Sequence, residues 1–117
     1  MAGPADLVMD VRTYPPTWRR RAAAWVGDPD DPADFAMLTE RSPLTHADRI
    51  RAPLLIIHGE NDTNVAIDSA EPLHRRLVEL GRTVRFHRVA GEGHGTADRD
   101  ERESELDLIV GWFAEHL

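Results

Sequence analysis

The stretch Pro53-Leu54-Leu55-Ile56-Ile57-His58-Gly59 constrains this chain more than any other. Four consecutive apolar residues without polar alternation, opened by a proline and closed by a glycine, read as a short strand buried on both faces. Such strands belong to parallel α/β sheets. Ligands and catalytic groups in these sheets collect beyond the carboxyl ends of the strands. An acid just past the strand, Asp62 in Glu60-Asn61-Asp62-Thr63-Asn64-Val65, therefore stands where chemistry is done. Thr83 to Val89 reads as a second strand, because Val84 and Phe86 alternate with Arg85 and His87, leaving one face apolar and one wet, as at or near a sheet edge. It leads into Gly91-Glu92-Gly93-His94-Gly95, a histidine on a glycine-walled loop.

The rest of the chain supports a strand-helix-strand-helix unit over 53–117. Ser69 is placed to cap a helix carrying Leu73, Leu77 and Leu80 at helical spacing, with Pro72 tolerated in its first turn and Gly81 closing it. A last helix over about Arg99 to His116 puts Leu106, Ile109, Val110, Phe113 and Leu117 on one stripe, with acids crowded at its start, where the helix dipole favours them. Residues 1–52 read as an irregular and helical connection. Residues 1–18 are expected to be irregular, since Pro15 and Pro16 disfavour helix. A helix over Arg19 to Val26 stops at Gly27-Asp28-Pro29, a second runs from Pro32 to about Glu40 with Asp31 as its cap, and Thr45 to Arg51 forms a capped turn.

An acid and then a histidine, each on the loop after its own strand, are the tail of the Ser, Asp, His order of α/β-hydrolases. Asp62 and His94 with their neighbours, together with Tyr14-Pro-Pro-Thr-Trp18, Gly27-Asp-Pro29 and Arg41-Ser-Pro-Leu44, resemble the end of the catalytic domain of the prolyl oligopeptidase family of serine peptidases. That resemblance covers nearly all of the chain. It implies a single, truncated α/β-hydrolase domain over 1–117, with Asp62 as triad acid and His94 as triad base in peptide-bond hydrolysis. The substrate in the parent protein would be a peptide, cut near one end, with no cofactor. Carboxylesterases and dienelactone hydrolases share acid and histidine loops of this kind and stay open as alternatives. So does a non-catalytic module that binds a partner chain, or a second copy, through an uncovered sheet edge.

The nucleophile is missing from this pattern. No Gly-x-Ser-x-Gly elbow occurs, and each of the three serines has an ordinary explanation: Ser42 precedes a proline, Ser69 is a helix cap and Ser104 lies in the exposed part of a helix. Acid and base without a nucleophile do not run acyl transfer, so the chain alone is expected to be inactive. His58 is read as a packed strand-end histidine, and Glu60, Asn61 and Glu92 as rim polarity. Tyr14 and Trp18 are read as packing residues that could also line a substrate site. No ligand pair has zinc-type spacing and no loop has a phosphate-binding pattern, so neither metal nor nucleotide is expected.

Composition excludes little more. A formal charge of -7 disfavours nucleic acid and anionic membrane. No apolar run approaches the roughly 20 residues of a membrane span, and the start resembles no secretory leader, so a cytoplasmic location is expected. Cysteine is absent, and all 14 basic residues are arginine, which could reflect adaptation or phosphate recognition but is more simply read as the codon bias of a GC-rich bacterial genome.

Overall fold

The computed structural model describes residues 3–117. Five α-helices and two strands run in the order α1 (Leu7–Thr13), α2 (Pro16–Trp25), α3 (Pro32–Arg41), β1 (Leu54–Gly59), α4 (Glu71–Glu79), β2 (Val84–Val89) and α5 (Arg99–His116). Short 3-10 turns at Pro43–Arg49 and Ile67–Ser69 join them. The strands pair in parallel, Leu54 with Val84 through Gly59 with Val89, which brings both strand ends to one edge of the sheet.

The pleat divides the side chains between two helices. Leu54, Ile56 and Val84 pack with Leu73 and Leu77 of α4, next to Ala5 and Ala47. His74 of α4 lies against the Phe86 ring, with centroids 5.4 Å apart. On the opposite face, His87 Nε2 lies 3.5 Å from the Glu101 carboxylate of α5. Alternation along β2 thus holds at Val84, Arg85 and Phe86 and relaxes at His87, which is half-buried under α5. Gly81, at positive φ, ends α4 in a Schellman arrangement: the Arg82 amide donates to the Leu77 carbonyl at 2.9 Å. Asp31 caps α3 by accepting from the Ala33 and Asp34 amides.

Five expectations need correction. Residues 7–13 are helical, not irregular: Asp6 accepts from the Met9 amide as N-cap, and Val8, Asp10 and Val11 are buried against the rest of the molecule. Packing outweighs the modest helix propensity of two valines in a seven-residue segment. Helix α2 starts at Pro16 rather than Arg19, because proline's fixed φ suits the first helical position and its missing N–H costs nothing there.

Ser69 does not cap α4. The N-cap is Ala70, and Ser69 is fully buried at the end of the preceding 3-10 turn. As N-cap, Ser69 would have faced Pro72 at the third helical position, which has no N–H to donate. Finally, the apolar stripe expected on α5 is not covered. Leu106, Val110, Phe113 and Leu117 are exposed, while the half-buried residues Glu101, Glu105, Leu108, Ile109, Trp112 and His116 form the stripe turned inward. Leu54 to Ile57 are likewise only half-buried, since β1 pairs on one side alone among the described residues.

Candidate active site

Both loops leave the sheet at the same edge, and a close backbone approach locks them together. The Asn61 amide donates to the Glu92 carbonyl at 2.9 Å, and the Glu60 amide to the Val89 carbonyl at 3.1 Å. Glycine is required where the loops cross: a Cβ on Gly59 would collide with the carbonyl oxygens of Glu92 and Gly93. Gly59 reads in sequence as the end of a strand; its role as a contact point between two loops depends on the register.

Asp62 is built into a turn by its own side chain. Oδ1 accepts from the amides of Asn64 at 2.8 Å and Val65 at 2.9 Å. This is the Asx geometry that a run of turn-forming residues favours. Oδ2 is left to face His94, whose Nδ1 donates to it at 3.0 Å. The Asp62 side chain is 6% exposed and that of His94 39%. Burial is the largest single influence on the Asp62 carboxyl and opposes its ionisation. The Val65 amide, His94 and the Asn64 amide together outweigh burial and hold the carboxyl below its ordinary range.

His94 sits at the tip of a three-residue turn, closed by the Gly95 amide donating to the Gly93 carbonyl at 3.0 Å, with Gly91 and Gly95 at positive φ. With Nδ1 committed to a carboxylate, the neutral ring carries its proton there and offers Nε2 as an acceptor. That is the tautomer needed to take a proton from a hydroxyl nucleophile.

His58 has the structural part read from its position at the strand end. Its Nε2 donates to the Val65 carbonyl at 2.8 Å, 3.9 Å from Asp62 Oδ2, and so braces the far side of the acid loop. Among the described residues no group of three or more His, Asp or Glu side chains is disposed to hold a metal ion. Ser42 Oγ donates to the Leu38 carbonyl and accepts from the Leu7 amide, tying α1 to α3. Ser69 is buried, and Ser104 stands exposed on α5.

A cleft of about 570 Å³ follows β1 and is lined by every residue of that strand, by Asp62, His94, Thr96 and Glu105, and by no residue of β2. It therefore lies along the edge of β1 that β2 leaves free. Tyr14 packs locally, its hydroxyl donating to Asp10 Oδ2 at 2.6 Å and its ring edge-on to Trp18, which is 62% exposed.

Three residues carry more than their sequence context indicated. Asp10 is buried on α1. Burial raises its carboxyl above the ordinary value against the bond from Tyr14, and Asp62 adds to the rise. The Tyr14 phenol is pushed up to about 12, by burial first and by Asp10 second. The i,i+4 spacing of Asp10 and Tyr14 was the available signal. Glu92, expected to be rim polarity, accepts from the Ala97 and Asp98 amides at 2.9 and 3.1 Å.

Comparisons with known proteins bear on the family and the fold. Dipeptidyl aminopeptidase BIII of Pseudoxanthomonas mexicana is 33% identical across the whole of this chain, which spans 17% of that protein. An uncharacterized peptidase of Bacillus subtilis, YuxL, is 34% identical over 80% of this chain and 15% of its own length. Among solved structures, a puromycin-hydrolyzing peptidase of Mycobacterium tuberculosis superposes with a TM-score of 0.87 at 25% identity, over 98% of this chain and 17% of that one. An acylaminoacyl peptidase of Pyrococcus horikoshii shares the fold at a TM-score of 0.83, over 98% of this chain and 19% of its own. The chain thus has the fold of a part of an α/β-hydrolase peptidase domain, and it spans less than a fifth of each of these relatives. Residues 2–117 match the Prolyl oligopeptidase family throughout, and the chain belongs to that family.

Proposed function

We propose that this chain supplies the acid and the general base of a serine-peptidase active site, Asp62 and His94, to a nucleophilic serine that lies outside these 117 residues. The observation that carries the reading is the bond from His94 Nδ1 to Asp62 Oδ2, made to a carboxylate already fixed by two backbone amides. In the complete site His94 Nε2 would take the serine proton as the hydroxyl attacks the scissile carbonyl, then return it to the leaving amine. Asp62 would hold the tautomer and stabilise the imidazolium. The relatives named above as a dipeptidyl aminopeptidase and an acylaminoacyl peptidase support a peptide substrate, cut close to one end.

The cleft beside β1 is where the missing parts of such a site would be seated, since both loops open onto it. Ser42, Ser69 and Ser104 are poor nucleophiles: Ser42 is buried and bonded between α1 and α3, Ser69 is buried with its hydroxyl out of reach of solvent, and Ser104 lies away from any strand-to-helix turn. The isolated chain is therefore inactive in this reading. Treatment with a fluorophosphonate probe, with mass spectrometry of the intact chain, should give no adduct, and p-nitrophenyl ester turnover should match buffer. Stoichiometric labelling of any of the three serines overturns the proposal.

A further inference from the structure

We infer that Glu92 is a positioning residue for His94, its carboxylate acting as the clasp that gives the histidine loop one conformation. The inference rests on the acid–base reading of Asp62 and His94. The loop from 90 to 98 contains three glycines, at 91, 93 and 95, two of them at positive φ, so its own backbone does little to restrict where His94 goes. What restricts it is a set of cross-links that meet at Glu92. Its amide donates to the Val89 carbonyl at 3.4 Å, which ties it to the end of β2, and its carbonyl accepts from Asn61, which ties it to the acid loop. Its carboxylate reaches across the loop and accepts from Ala97 at Oε2 and Asp98 at Oε1. Residues 93–96 are thereby closed into a small ring with His94 at the tip.

The far limb is fastened in turn to α5: Thr96 donates to the Glu105 carboxylate, and the Arg102 guanidinium donates to the Thr96 carbonyl at 3.0 Å. The negative charge of Glu92 also lies at the start of α5, where the helix dipole favours it. One side chain thus joins the acid loop, the histidine loop and the last helix. Without it, the near limb stays attached to Asn61 and the far limb to α5 through Thr96, but no bond draws the two limbs together across Gly93 and Gly95.

The tautomer of His94 tests this on the full 117-residue chain. Long-range proton–nitrogen NMR correlations of the imidazole report the fraction carrying its proton on Nδ1, the form that Asp62 selects; a solvated histidine side chain with no such partner favours Nε2. Glu92→Ala is expected to lower the Nδ1–H fraction at least twofold. Glu92→Gln, whose amide oxygen still accepts one of the two bonds, should restore part of it.

An Nδ1–H fraction in Glu92→Ala equal to wild type overturns the inference. So does loss of the dispersed β1 and β2 amide resonances in that variant, because a clasp confined to the loop must leave the sheet intact. Asp62→Ala serves as the separate arm. It should bring His94 to the distribution of a solvated histidine whatever stands at 92, and if it does not, the acid–base reading fails independently of Glu92.

Discussion

The crossing of the two loops at Gly59 makes a demanding test, because a single methyl group should open the site. In Gly59→Ala the new Cβ would lie 2.9 Å from the Glu92 carbonyl carbon, and nearer still to the Glu92 and Gly93 oxygens. All of these are backbone atoms, so no side-chain rotation relieves the clash, and the loops must separate by about 1 Å to reach ordinary van der Waals spacing. Overpacking of this kind costs about 1–3 kcal/mol. The separation also stretches the Asn61 to Glu92 bond out of range, a further loss of about 1 kcal/mol. Alanine returns roughly 0.4–1 kcal/mol by restricting the unfolded chain.

The net destabilisation is about 2 kcal/mol, which for a chain of this size lowers the melting temperature by ~8 °C. Gly111→Ala is the matched control. It sits within α5 with no heavy atom near the site of its Cβ, and should stabilise by about 1 kcal/mol through helix propensity alone. Thermal melts followed by circular dichroism measure both, and amide spectra locate the change. If Gly59→Ala melts within about 2 °C of wild type, with the Glu92 to Gly95 resonances unmoved, the loop-crossing argument is refuted.

Two further outcomes follow from the same structure. Because the Asp62 carboxyl is held below its ordinary value, its ionised form contributes stability in full above the usual carboxylate range, and that contribution is lost as pH falls through the folded value. The Asn64 and Val65 amide shifts should therefore stay constant from neutral pH down to about 4 and move only below it; a midpoint above that contradicts the assignment of the turn. The free edge of β1 and the exposed apolar residues of α5, Val110 and Phe113 among them, should drive concentration-dependent self-association. Light scattering after size exclusion checks it: a single 13.2 kDa species at every concentration, with a cooperative melt, would show the chain to be self-sufficient.

Much of this was legible in the linear sequence because it depends on local rules. The apolar run at 54–57, the alternation at 84–86, the glycine at 81 and the capped helix at 32 obey periodicity and cap chemistry that neighbouring residues supply. The candidate pair Asp62 and His94 was legible too, since each follows its own strand and parallel pairing brings the two strand ends to one edge. Helix α1 was missed because its local signal is weak and its stability comes from burying Val8, Asp10 and Val11. The α5 stripe was misjudged for the converse reason. Apolar residues lie on more than one side of that helix, and only contact with the sheet selects the side turned inward.

What the tertiary structure alone decided is how the two loops meet. The sequence by itself determined that an acid and a histidine emerge from one sheet edge. It did not determine that Gly59 is the point of crossing, that His58 braces the acid loop, or that the Glu92 carboxylate spans the histidine loop. Each of those contacts is made to backbone carbonyls or amides, which every residue carries alike, and the crossing at Gly59 joins residues more than thirty apart in the chain. No pattern of side-chain types marks in advance which of them will be brought within hydrogen-bonding distance.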